Sequence, residues 1–197
     1  MNLFGNLGDN LAGAWLVMRG RAEGLNRLDL SLEGFWRSFA AILLIVPFAL
    51  VGLISQRTLG PDEGAPAGAL TQSGLGLEAV ALFGDWLTFP LIFALLARPL
   101  GLAARYVPFI VARNWASVII TAIVSIIHAG HIVGLVSPEL ASFLLFVAIA
   151  VALRFSYVIA RTTLAVPLTV ALPIVLLDLL ISLTVWSAFD QFGSTAS

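Results

Sequence analysis

Cysteine is missing from this chain altogether. That excludes disulfides, thiolate metal sites and Cys nucleophiles. Lysine is missing as well, so all ten basic residues are Arg. Charge of either sign is scarce: 11% of the 197 residues are charged, against about 25% in a typical soluble domain. So few charges cannot coat a soluble core. There are two His, too few for an internal bis-His haem when both sit on one helix turn. The net charge of −1 gives no field that would draw nucleic acid. G-x-S-x-G, H-E-x-x-H and Walker A runs are also absent, which removes the common hydrolase, zincin and nucleotide signatures.

Apolar length is what the chain has in excess: 60% of its residues are hydrophobic and the mean hydropathy is +1.03. Crossing a hydrocarbon core takes about 20 mainly apolar residues. Five such stretches are readable, at 38–56, 75–97, 114–136, 138–160 and 167–189. The expected fold is therefore an all-α polytopic transmembrane bundle of five spans. Residues 1–36 form a cytoplasmic or interfacial amphipathic segment, 37–190 the membrane domain and 191–197 a short tail. Leu11, Trp15, Met18, Ala22 and Leu25 recur every three or four residues, the pattern of a helix lying on a membrane surface. Gly13, Gly20 and Gly24 weaken that helix. The segment lacks basic residues ahead of its apolar part, and its first Arg is Arg19. This argues against a cleaved signal peptide.

Ser31 reads as the N-cap of a helix with Glu33 in its first turn. Gly, Pro and Ala make QRTLGPDEGAPAGALTQSG (56–74) a loop. Arg98, Arg105 and Arg113 fall on one helical face, and Pro99 and Pro108 limit length, so 98–113 reads as a short interfacial helix. Ser137 and Pro138 open the fourth span as N-cap and first helical residue. Nine of the ten Arg fall on one side of this threading and Arg57 on the other. The positive-inside rule then puts the N-terminus in the cytoplasm and the C-terminus in the periplasm of a bacterial inner membrane.

Ionisable residues inside these spans need an explanation. At 1.5 Å per residue, Asp85 lies roughly 18 Å, Asp178 roughly 17 Å and His128 roughly 21 Å from the cytoplasmic side. The three are expected to form one mid-membrane polar layer. Such a layer either locks helix packing or binds and relays an ion or substrate. Arg154, Tyr157 and Arg161 share one face of the fourth span. Arg154 and Arg161 are read as interfacial anchors, with Arg154 alternatively an inward partner for Asp85 or Asp178. His128 and His131 either hydrogen-bond between helices or, with Glu78, hold a metal; the expectation is no metal and no cofactor. Gly130 and Gly134 form a small-xxx-small pair suited to close helix contact.

The E-G-F-W-R-S-F entry (33–39) ahead of five close spans resembles Yip1-type membrane proteins. RYVPFIVARNWAS (105–117) and YVIARTTL (157–164) resemble uncharacterised alphaproteobacterial inner-membrane proteins. The resemblance implies a membrane organiser or a permease-like protein and transfers no catalytic residue. Two functions are expected on these grounds. One is a non-enzymatic subunit, assembly factor or scaffold of a membrane complex. The alternative is a small proton- or ion-coupled transporter using Asp85, His128 and Asp178. The partners to expect are the lipid bilayer and either a membrane protein or further copies of this chain.

Overall fold

A computed structural model describes residues 6–59 and 72–195. Most of the loop expected at 56–74 lies outside the described residues. The described residues form seven α-helices and no strand: α1 (Leu7–Met18), α2 (Leu32–Phe39), α3 (Ile42–Leu59), α4 (Gln72–Ala97), α5 (Tyr106–Ile132), α6 (Pro138–Leu164) and α7 (Leu168–Thr195). Short 3-10 turns at Ala22–Arg27 and Ala103–Arg105 link the first and the middle helices. Among the described residues five segments are long and apolar enough to cross a membrane: Leu32–Ser55, Gly76–Ala97, Ala103–Ile132, Pro138–Leu164 and Leu168–Phe189. The chain is an all-α bundle with the composition of a multi-pass membrane protein.

Local chemistry sets the helix ends. Ser31 Oγ accepts the Gly34 N–H at 3.0 Å and starts α2. Ser137 Oγ accepts the Leu140 N–H at 3.3 Å and starts α6, with Pro138 at the first position, where its missing N–H costs nothing. Ala165, at φ 53°, ends α6. Gly134, at φ 76°, ends α5, and the Leu135 and Val136 N–H groups both bond back to Gly130 O. The Gly130 and Gly134 pair therefore closes a turn. The nearest atom to a side chain built on Gly130 would be Val136 Cγ2 at 2.9 Å, and Gly134 has open space around it.

Helix α5 is the axis of the bundle. It packs against α1, α2, α3 and α6, while α4 packs mainly on α7. Its apolar window is 44% buried in the protein, against 11% for α6. α6 thus presents most of its surface, including Phe143, Phe146 and Ile149, outward. The helix α5 also corrects one boundary. Residues 106–113 are not a separate interfacial helix; they are the first turns of α5. Pro108 sits at its third residue, in the first turn, where proline is tolerated.

The N-terminal helix is docked on protein. Ala14, Val17 and Met18 are fully buried, where α1 meets α5 and α6. Gly13 and Gly24 let α1 and the following 3-10 turn touch backbone to backbone. A Cβ on Gly24 would stand 2.5 Å from Gly13 O, and one on Gly13 would stand 2.8 Å from Gly24 O. The Asn10 side chain then accepts the Asp29 N–H at 3.0 Å. At the far end, α7 continues to Thr195, so most of the expected tail is helical.

Candidate functional site

The charged layer is built on α4, α5 and α7. Arg113 Nη2 donates to Asp178 Oδ1 at 2.8 Å and Arg113 Nε to Asp178 Oδ2 at 3.1 Å. This is the two-pronged fit that a planar guanidinium makes with a carboxylate. The guanidinium carbon also lies 4.8 Å from the centroid of the Phe89 ring, a cation–π contact. One turn along α7, Ser182 Oγ donates to Asp85 Oδ1 at 2.6 Å. Asp85 stands one turn from Phe89 on α4 and within electrostatic reach of both Arg113 and Asp178. Four polar side chains on three helices thus form two hydrogen-bonded pairs close to one another.

Its surroundings are stiff. Phe89 stacks on Phe93 at 5.6 Å, and Phe93 meets Phe109 edge-on at 5.0 Å. Tyr106 Oη donates to Pro90 O at 3.0 Å, tying α4 to the start of α5. Buried Asn114 donates to Ser38 Oγ at 3.0 Å, and Ser38 donates on to Phe35 O at 2.7 Å. That chain ties α5 to α2. A cavity of about 60 Å³ touches Arg113 and Asp178 and is bordered by Ser117 and Ser156, room for a few water molecules.

The structure joins Asp85 to Asp178 and leaves His128 out. His128 is 15 residues beyond Arg113 on α5, about 22 Å along the axis. The sequence reading began this span at 114, so His128 fell at its middle. The helix begins at Tyr106, and His128 lies one turn from its other end. The inward partner of Asp178 is Arg113. Arg154 is exposed, with its guanidinium 5.9 Å from the neighbouring Phe155 ring. Arg161 is exposed as well and donates to Tyr157 Oη at 3.3 Å. Neither Arg154 nor Arg161 forms an ion pair among the described residues.

His128 instead borders a separate cavity of about 500 Å³ between α3, α4 and α5. Glu78 lines the same cavity. His131 is turned away, its Nδ1 3.1 Å from Val136 O in the closing turn. Among the described residues no three His, Asp or Glu converge as metal ligands do. His128 is 6% exposed and its Nδ1 has no hydrogen-bond partner among the described residues. Such an orphan costs about 1–3 kcal/mol and calls for an explanation.

Sequence reasoning missed Arg113, Ser182 and Asn114. For Arg113 a signal existed. Pro108 fits a first turn as well as a break, and a start near Tyr106 puts Arg113 at the depth of Asp178. No protein family matches this chain, and neither a curated protein nor a solved structure matches it.

Proposed function

We propose that this chain is a bacterial inner-membrane protein that acts by binding, as a non-enzymatic subunit, assembly factor or scaffold of a membrane complex. The observation that carries this reading is the pairing inside the charged layer. Arg113 and Asp178 neutralise each other, and Asp85 is held by Ser182. Charges matched in this way hold three helices in register. The likeness of the 33–39 entry to Yip1-type organisers supports the same reading. With Arg113 inside the bundle, eight of the ten Arg still fall on the side of the N-terminus, which favours a cytoplasmic N-terminus and a periplasmic C-terminus. The test is purification from native membranes in mild detergent through a C-terminal tag, followed by native mass spectrometry. A stoichiometric partner or a defined homo-oligomer is expected. A bare monomer with no co-purifying protein would overturn the reading.

One observation favours the alternative, a proton- or ion-coupled transporter. The 60 Å³ cavity brings room for water to the Arg113–Asp178 pair, and Pro173 lies inside α7 five residues before Asp178. A proline inside a helix removes one backbone hydrogen bond and gives the helix a place to bend. Reconstituted protein would then support gradient-driven flux that Asp178→Asn abolishes. Flux equal to that of empty vesicles would dismiss the transporter.

A further inference from the structure

The cavity at His128 has the make-up of a ligand site. Its volume of about 500 Å³ lies within the range of small-molecule pockets, about 300–1,000 Å³. Its walls are mainly apolar, with a few polar groups among them: Thr121, Ser125, His128 and Glu78. That mixture fixes an apolar molecule by one polar end. The cavity exists because α3 packs on α5 and α4 packs on α7, which leaves a cleft between α3 and α4 floored by α5.

Three details say what would fill it. First, His128 is buried and makes no hydrogen bond to a described residue; its Nδ1 is closed off, so Nε2 is the nitrogen left to bond a ligand. A neutral imidazole offers one donor and one acceptor. Second, Gly52 of α3 stands across from that ring. A Cβ there would touch His128 Nε2 and Cδ2 at 3.5 Å, so the absent side chain leaves the imidazole edge open to the cleft. Third, the helix surfaces beside the cleft are apolar and exposed: Leu50 and Ile54 on α3, Val80 and Phe83 on α4. A ligand reaches this cleft through hydrocarbon. Among the described residues no Arg lines it, so they offer a phosphate headgroup no counter-charge. Phe48, Phe83 and Trp186 line it and offer flat faces on which a ring can stack.

We propose that the α3–α4 cleft binds a lipid-soluble quinone, with its ring among the aromatic side chains and a ring oxygen hydrogen-bonded to His128. The site is separate from the charged layer and does not depend on which partner, if any, the protein has. Trp186 at the cavity wall supplies the readout, because quinones quench indole fluorescence on close approach. The full-length protein in detergent is titrated with decylubiquinone. Saturable quenching is expected, with Trp186→Phe removing most of its amplitude. Gly52→Leu fills the cleft and is expected to weaken binding at least tenfold, and Gly52→Ala, whose methyl would touch Nε2 at 3.5 Å, to weaken it less. His128→Leu is expected to weaken binding about tenfold, and His128→Gln, which keeps a donor and an acceptor, to restore most of it. Quenching that rises without saturation, or saturates equally in wild type and His128→Leu, would overturn the proposal. His128→Leu also decides the question if Gly52→Leu fails to accumulate, because it adds no bulk at the helix contact.

Discussion

Two polar sites share helix α5 about 22 Å apart, and they are built on opposite plans. At Arg113 opposite charges are paired, although Arg113 Nη1 is buried without a hydrogen-bond partner among the described residues. The guanidinium meets Asp178 with two hydrogen bonds, lies over Phe89, and has Asp85 nearby. At His128 the protein leaves an imidazole nitrogen without a partner and keeps a cavity about eight times larger beside it. The first arrangement joins α4, α5 and α7. The second keeps α3 and α4 apart. A charge-paired cluster with little free space holds helices together, while a large open cavity gains by taking up a ligand. Stability should therefore concentrate at Arg113 and binding at His128, and substitutions at the two sites should separate those quantities.

The largest effect is expected from Asp178→Leu. It strands Arg113 among α4, α5 and α7, and an uncompensated buried charge costs about 3–5 kcal/mol. Thermal unfolding in detergent should show a steep loss, or the protein should fail to accumulate. The double variant Arg113→Met with Asp178→Leu should recover much of that loss, because an apolar replacement of a whole buried pair is often neutral or better. A double variant no more stable than Asp178→Leu alone would mean the two residues are not coupled as their 2.8 Å contact implies.

A second effect belongs to the N-terminal unit. Gly24→Ala pushes a methyl group against Gly13 O, 2.5 Å away, and overpacking of this kind costs about 1–3 kcal/mol. Limited proteolysis should release the N-terminal segment from the variant before it attacks the wild type. Equal protection would show that α1 yields without cost. Smaller still is Ser182→Ala, which removes the donor to Asp85 and should cost about 1 kcal/mol, the net worth of one hydrogen bond. Asp85→Asn keeps an acceptor for Ser182 and should leave accumulation intact. If Asp85→Asn does not accumulate, the negative charge beside Arg113 matters more than the hydrogen bond.

The five spans were legible because apolar length is a coarse signal, and the caps at Ser31 and Ser137 because they are local chemistry. The polar layer was half legible. Asp85 and Asp178 are conspicuous in apolar surroundings, but depth along a helix depends on where the helix starts. Eight residues, 106–113, separated the expected start of the third span from the observed one. That error moved His128 into the layer and Arg113 out of it. Serines carry little signal of their own, so Ser182 and Ser38 became readable only once partners stood opposite them. Gly52 was unreadable for the same reason, since its meaning lies in the His128 ring across the cleft. The glycines that weaken α1 as an isolated helix turn out to be what allows its close packing.

The smallest effect should come from His128→Leu, and its sign separates the two sites. Removing one partner at Arg113 exposes a charge to unfavourable surroundings. Removing the imidazole of His128 deletes a polar atom that has no partner and puts an apolar group of similar size in its place. Relief of the unsatisfied nitrogen is worth about 1–3 kcal/mol, partly offset by packing lost around a slightly different shape. Quinone-free protein carrying His128→Leu should therefore unfold at the same temperature as wild type or a little higher. Addition of decylubiquinone should raise the wild-type transition more than that of the variant, since a ligand stabilises only the state that binds it. A variant that unfolds well below wild type without ligand would make His128 a packing residue, and the contrast between a charge-paired and an open end of α5 would fail at that point.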